Sequence, residues 1–303
     1  MNKPLISVVL GTYNRLPFLQ RALTSIRAEL ASYAHEIFVI DGGSDDETLP
    51  WLMAQKDIIT MVQHNRGEWQ GTPLDRRSWG YFMNLGFKAA NGQYVCMLSD
   101  DCLVVPGAIT NGIVYFSRLR EQGHKVGALA FYWRDWSKSE SYHVGYTLGD
   151  KLYVNHGMFL RSALQAVDYI DDETFFFYNA DGDLCLKLWQ QGYEVCVSPH
   201  SFIEHYPHAN ISVRSTNYIR FKNDLKNYLA KWEGVFYDRK KNNCGHIEER
   251  VFHDITATGD LFAPLHREVL QKNPQITKPV SPLQHYGRLV SAKLSSVIRK
   301  LGA

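Results

Sequence analysis

The sequence predicts an α/β fold: a mostly parallel sheet with helices on both faces, followed by a mainly helical C-terminal appendage. Three observations predict it. Short runs rich in Val, Ile and Leu alternate with segments whose apolar residues recur at helical spacing. Gly, Asn and Asp break the chain between them. Acidic residues stand where apolar runs end, Asp41 after one and Asp100-Asp101 after another. Strand–helix alternation makes successive strands parallel and lays the connecting helices on the sheet's faces.

The elements follow in order. Residues 5–10 form a β-branched strand, broken by Gly11-Thr12-Tyr13-Asn14. Pro17 suits a helix first turn, and Phe18, Leu19, Ala22, Leu23 and Ile26 repeat at helical spacing. Residues 36–40 form a second strand ending on Asp41, then Gly42-Gly43 makes a loop. Ser44-Asp45-Asp46-Glu47 reads as a capping box for a short helix. Residues 58–62 are a third strand, and residues 79–90 a helix stopped by Asn91-Gly92. The fourth strand, residues 94–98, ends at the acidic pair. The middle is less regular: a helix over 106–119, strands over 126–133 and 142–148, and a short strand over 157–161 that enters a helix at Ser162. A helix over 181–191 ends at Gly192, and a strand spans 193–197. From about residue 213 the chain is richer in Lys, Asn and Arg and its apolar periodicity weakens. The expected division is 1–212 for the main domain, split into halves 1–101 and 102–212, and 213–303 for the helical extension.

Size and composition bound the function. At 303 residues the chain has room for one large domain, or one with an appendage. An apolar content of 45% supports a sizeable core. A net charge of +2 gives no reason to expect a nucleic-acid partner. The five cysteines are an odd number without CxxC spacing, which points to a reducing compartment and no zinc site. Residues 1–4 lead straight into a strand without an apolar leader core, and no stretch approaches the ~20 apolar residues of a membrane span. The expected location is cytoplasmic, or attached to a membrane only at its inner surface.

The chemistry is concentrated in two acidic motifs. Asp100-Asp101 closes an apolar strand, and Asp181-Gly182-Asp183 opens a helix. A carboxylate leaving an apolar interior needs a cation, a donor or a job. In parallel α/β sheets ligands bind beyond the carboxyl ends of the strands, so Thr12, Asp41 and Asp101 converge on one crevice. Two readings stand for each motif. Asp100-Asp101 either holds a metal or caps the turn that follows. Asp181 and Asp183 either act on substrate or cap their helix.

Taken together, these segments resemble the inverting, nucleotide-sugar-dependent glycosyltransferases of family 2. The matching pieces occur in order. Residues 6–15 end in Thr12-Tyr13-Asn14-Arg15; Asp41-Gly42-Gly43-Ser44-Asp45-Asp46 follows the second strand. Asn84-Leu85-Gly86, Ala90-Asn91-Gly92 and Ser99-Asp100-Asp101 approach a DxD-type motif. Residues 157–161, 175–178 and 181–187 resemble the acceptor side of bacterial rhamnosyltransferase-like members, and His205 falls where such proteins often carry a histidine. The resemblance covers roughly residues 4–210. Two positions depart from it: Ser99 stands where the DxD motif has its first acid, and Ala180-Asp181 replaces a Glu-Asp pair.

The resemblance implies a GT-A-type, Rossmann-like fold and transfer from a UDP- or dTDP-sugar to a glycan or lipid-linked glycan hydroxyl. Mg²⁺ or Mn²⁺ would neutralise the diphosphate. Asp101 is the first choice for that metal, with His205 completing the shell and His208 its rival. Asp100 is second for the metal or contacts the ribose. Asp181 is the general base, and Asp183 binds acceptor or caps the helix. Asp41 suits the nucleobase or ribose, with Thr12 and Asn14 lining the same pocket. Arg76 meets the diphosphate, unless Arg76-Arg77 is only a solvated surface pair. Trp136, past an aromatic strand, offers a sugar contact. Residues 281–301 carry Leu283, Tyr286, Val290, Leu294, Val297 and Leu301 at helical spacing with four basic and no acidic residues. That pattern fits a helix lying on an anionic membrane, or one packing on protein. Two competing readings are a sugar-phosphate nucleotidyltransferase, disfavoured by the single glycine in the first loop, and a non-catalytic glycan- or nucleotide-binding domain.

Overall fold

The computed structural model describes residues 4–136, 139–209, 211–241, 245–251 and 261–274. The first half follows the predicted alternation: β1 (Ile6–Thr12), α1 (Leu16–Leu30), β2 (His35–Asp41), α2 (Thr48–Ala54) and β3 (Ile58–Val62). A small hairpin, β4 (Glu68–Trp69) and β5 (Thr72–Pro73), precedes α3 (Trp79–Ala89) and β6 (Tyr94–Met97). Then come β7 (Cys102–Val104), α4 (Ala108–Glu121), β8 (Val126–Asp135), β9 (Ser141–Thr147), β10 (Lys151–Leu152), β11 (Gly157–Leu160) and α5 (Arg161–Ala166). The chain continues through α6 (Ala180–Gln190), β12 (Glu194–His205), α7 (Ile211–Tyr218), α8 (Phe221–Trp232), β13 (Ile247–Val251) and α9 (Ala263–Lys272).

The local reasons are plain. Pro17 sits in the first turn of α1, where its missing N–H costs nothing, and Phe18, Leu19, Ala22, Leu23, Ile26 and Leu30 form its buried stripe. Each large side chain buried in this way contributes about 1.5–3 kcal/mol. The Ser78 hydroxyl accepts from the Tyr81 N–H and starts α3. Gly86 lets α3 lie close on β1: a Cβ there would clash with Val9 Cγ1.

The main sheet runs β10-β9-β8-β11-β6-β1-β2-β3. The predicted parallel arrangement holds across β6, β1, β2 and β3, where Thr12 lies opposite Asp41 at the carboxyl ends. Beyond β6 the strands are mostly antiparallel, because β11 enters between β6 and β8 in the opposite sense. The long β12 then pairs parallel with β8 and antiparallel with β7. Core residues fill both faces of the sheet. A smaller cluster joins Phe18, Leu103, Tyr206, Phe262 and Leu265, with Trp136 against it.

The helices after residue 212 are tied to this body. The division expected at residues 212 and 213 falls inside α7. Tyr228 and Trp232 of α8 lie in the main core, and β13 adds to β9. Residues 281–301, expected to form an amphipathic helix, lie outside the described residues. Among the described residues no helix is long and apolar enough to cross a membrane.

Candidate active site

The site is built where β1, β6, β7, β8 and β12 end or meet. Asp100 and Asp101 follow β6, where the chain turns into β7. Thr12 Oγ1 donates to Asp100 Oδ2 at 2.8 Å. Arg15 reaches both carboxylates, its Nη1 donating to Asp100 Oδ1 at 2.7 Å and Asp101 Oδ2 at 3.0 Å. Burial pushes the Asp100 carboxyl above the usual range, Arg15 pulls it back, and neighbouring Asp101 raises it again. Burial alone would lower the Arg15 pKa, but the two carboxylates outweigh it and keep the guanidinium charged.

Strand pairing brings a histidine to this acidic pair. In the β7–β12 ladder His205 lies opposite Cys102, and the Tyr206 N–H donates to the Asp101 carbonyl at 2.8 Å. His205 Nε2 stands 3.7 Å from Asp101 Oδ1. That oxygen is buried and has no hydrogen-bond partner among the described residues. His205 Nδ1 lies 2.8 Å from Asp135 Oδ1. A carboxylate accepts only, so Nδ1 carries a proton, and in the neutral ring Nε2 presents a lone pair to Asp101. In that form two acceptors face each other across 3.7 Å, an arrangement that a cation between them would satisfy. No set of three or more His, Cys, Asp or Glu side chains could hold a metal among the described residues. A two-ligand edge still fits Mg²⁺ or Mn²⁺, which Mg²⁺ in particular completes with water and substrate phosphate oxygens. His208, the rival, lies beside Tyr206 with ring centroids 6.2 Å apart.

Asp181 joins the site through residues 155 and 156. Its Oδ2 lies 3.4 Å from Asn155 Nδ2, and its Oδ1 accepts the Gly182 N–H at 2.9 Å. Next in sequence, the His156 ring lies 5.7 Å from that of His205. Burial lowers the His156 pKa to about 3, so this imidazole is neutral. Burial raises the Asp181 pKa, with Gly182 and Asn155 opposing. A carboxylate with raised basicity at the opening of a helix is equipped to take a proton. The helix cap is Asn179, in the left-handed region at φ 63°, so Asp181 lies inside the first turn.

The other expected residues sort into three groups. Asp41 and Asn14 shape the neighbouring loops. Asp41 is fully buried and accepts from the Gly43 N–H, the Ser44 N–H and the Ser44 hydroxyl at 2.6–2.8 Å. Ser44 therefore holds Asp41 and does not cap α2, which begins only at Thr48. Asn14 ties the two loops together, donating to Asp45 Oδ1 at 2.6 Å and accepting the Asp45 N–H. Arg76 sits at the rim of α7, donating to Thr216 and Asn217 at 3.2 and 3.0 Å over the Phe176 ring. Burial lowers its pKa, and nearby Arg66 and Arg220 add to that. None of these three arginines has a carboxylate partner among the described residues.

Asp183 and Trp136 are engaged within the fold. Asp183 is fully buried, and its oxygens receive Lys231 Nζ and Trp232 Nε1 at 2.9–3.0 Å. It clamps α8 to α6, and the helix cap is Asn179 instead. Burial raises its pKa while Lys231 pulls it down. Trp136 packs against Tyr206, Phe262 and His266 at 5.6–6.2 Å between ring centroids, so its faces are used by its own fold.

Sequence reading missed Arg15, Asp135 and Asn155 as site residues. Arg15 was visible as the lone cation just past the first strand. Asp135 and Asn155 needed the strand register.

Several known proteins are similar to this chain. An uncharacterized glycosyltransferase of Rickettsia prowazekii (strain Madrid E) is 28% identical over 117 residues, 38% of this chain and 33% of its own length. The chain thus spans about a third of that relative. A dolichyl N-acetyl-α-D-glucosaminyl phosphate 3-β-D-2,3-diacetamido-2,3-dideoxy-β-D-glucuronosyltransferase of Methanococcus voltae is 20% identical over 226 residues, 68% of each chain. Among solved structures, a mannosyltransferase from Pyrobaculum calidifontis in complex with GDP-Man and Mn²⁺ superposes with a TM-score of 0.56 at 15% identity. That likeness covers 99% of this chain and 85% of the other, and shows the shared fold. The family model described as glycosyl transferase family 2 matches residues 7–177, more than half of the sequence, and the chain belongs to that family.

Proposed function

We propose that this chain is a metal-dependent, inverting glycosyltransferase that moves a sugar from a nucleotide-sugar to a hydroxyl of a glycan or lipid-linked glycan. The observation that carries the proposal is the pairing of two kinds of carboxylate at one sheet edge. Asp101, with an unsatisfied buried oxygen, faces His205, and Asp181, with raised basicity, is joined to the same edge through Asn155. Residues 1–101 would serve the nucleotide and residues 102–212 the acceptor.

Asp101 and His205 would hold Mg²⁺ or Mn²⁺, which would offset the charge gathering on the leaving diphosphate. Arg15 would fix Asp100 and Asp101 in place, and Asp100 would serve the ribose or the metal. Asp181 takes the acceptor hydroxyl proton. The acceptor oxygen then bonds to the anomeric carbon while the bond to the diphosphate oxygen breaks on the opposite side, so configuration inverts. Asp41, Thr12 and Asn14 would shape the nucleoside pocket, and Arg76 with Arg66 and Arg220 would attract the diphosphate. A UDP- or dTDP-sugar remains our choice of donor. A relative that binds GDP-Man with Mn²⁺ supports the general donor class. A relative named for a dolichyl-linked substrate supports a lipid-linked acceptor.

The test is release of nucleoside diphosphate from UDP-, dTDP- and GDP-sugars with Mn²⁺. Activity should require metal and fall by roughly 10²–10⁴ in Asp181→Asn. Full transfer by that variant, or by wild type in EDTA, would refute the proposal.

A further inference from the structure

We propose that Asp135 is a positioning residue for the cation edge: it fixes the tautomer and ring plane of His205, so that Nε2 faces Asp101 without a proton. The inference rests on the reading of Asp101 and His205 as metal ligands and adds a residue to it. The geometry is set by the sheet. β8 and β12 run parallel with His205 directly opposite Asp135, while β12 and β7 place His205 opposite Cys102, the residue after Asp101. The histidine therefore has a carboxylate on each side, Asp135 on β8 and Asp101 in the turn before β7. The contacts are unequal: 2.8 Å from Nδ1 to Asp135 and 3.7 Å from Nε2 to Asp101.

Two further contacts hold the ring. The Trp133 indole meets it edge-on, 88° between planes at 5.8 Å. The Trp136 N–H donates to the His205 carbonyl at 2.8 Å and extends the ladder past Asp135. A carboxylate that orients a histidine and raises its ligand strength is common around protein-bound metals, and removing it costs roughly 10–100-fold in metal affinity. The plainer reading is a half-exposed ion pair on the rim, with side-chain exposures of 21% and 35%. In that reading the ring is an imidazolium whose Nε2–H faces Asp101 Oδ1 across 3.7 Å, too far for a hydrogen bond, and the buried oxygen stays unsatisfied.

The experiment uses the full chain, labelled with ¹⁵N-histidine, and Mn²⁺ as the probe. Long-range ¹H–¹⁵N spectra report the tautomer of His205, and electron paramagnetic resonance titration reports Mn²⁺ affinity. Expected results are an Nδ1–H tautomer in wild type and roughly 10–100-fold weaker Mn²⁺ binding in Asp135→Ala. A mixed tautomer should appear in that variant. Asp135→Asn retains an acceptor oxygen, so its tautomer should be kept and its loss smaller. Asp101→Ala and His205→Ala separate the two ideas. If they lose Mn²⁺ while Asp135→Ala binds like wild type, the positioning role is wrong and the metal reading survives. If wild type binds no Mn²⁺, both fall. An Nε2–H tautomer in wild type overturns the inference whatever the variants do.

Discussion

Asp183→Ala should cost stability and leave the chemistry intact. The wild-type carboxylate is fully buried and holds two donors from α8, Lys231 and Trp232. Removing it does not strand Lys231, which is 30% exposed and keeps Asp171 at 2.7 Å. The full 3–5 kcal/mol of a broken buried pair is therefore not expected. The Trp232 indole N–H does lose its acceptor, at about 1–3 kcal/mol. Adding the loss of the Lys231 contact, the sum is about 2–4 kcal/mol. For a chain of this size that corresponds to a fall in Tm of roughly 5–15 °C. Thermal melts by circular dichroism measure it, and transfer assays well below the melting point complete the test. Acceptor KM and kcat should match wild type. An unchanged Tm with a raised acceptor KM would refute the reasoning and return Asp183 to the substrate.

Other outcomes follow from the same geometry. Asp181→Asn should retain nucleotide binding, lose transfer, and gain stability at neutral pH. The sign follows from burial: the folded pKa lies above the unfolded one, so the folded state binds the proton more tightly. The stability penalty is absent in acid and grows as pH rises through the folded pKa. The gain in Tm should accordingly be larger at pH 8 than at pH 4, and equal gains would refute it. The acid limb of wild-type kcat should lie above the ordinary carboxylate range, and a limb near pH 4 would contradict an elevated Asp181. Arg15→Ala leaves Asp100 and Asp101 without their cation and should cost about 3 kcal/mol. The loss should be greater at pH 8 than at pH 5, because protonation relieves the repulsion, and Mn²⁺ should restore part of it in melts. Asp224 accepts the backbone N–H groups of Phe176, Phe177 and Tyr178 at 2.9–3.1 Å, on the approach to Asp181. Asp224→Ala should speed hydrogen exchange at those amides and lower kcat; unchanged exchange would show that the loop does not depend on it.

The nucleotide half was legible because its determinants are local. Apolar runs, a proline in a first turn and glycines at breaks each act within a few residues, and β1, α1, β2, β3, α3 and β6 lie close to where those signals put them. The end of β12 was not legible. Ser198-Pro199-His200-Ser201 interrupts its apolar pattern, and the ladder with β8 resumes only after a register shift between Val197 and Phe202. That resumption carries His205 to the site. The same shift hides Asp135, whose role depends on a strand neighbour distant in the chain.

Asp181-Gly182-Asp183 shows where more could have been read. The two carboxylates share one local setting, and no propensity separates them. Helix geometry does: two residues apart on α6, they differ by about 200° around the axis. One of them must point away from whatever the other faces. A single acceptor site could not hold both, but the apolar pattern does not say which is turned inward: Leu184, Cys185 and Leu188 lie three, four and seven residues after Asp181. Asp183 is the fully buried one, because Lys231 and Trp232 of α8 close over it. Asp181 lies on the other side, toward Asn155 and the open edge. The motif thus contains two devices of opposite kind. A buried charge held by α8 keeps the helix in place, and a half-buried carboxylate with no cation beside it among the described residues is kept available for a proton.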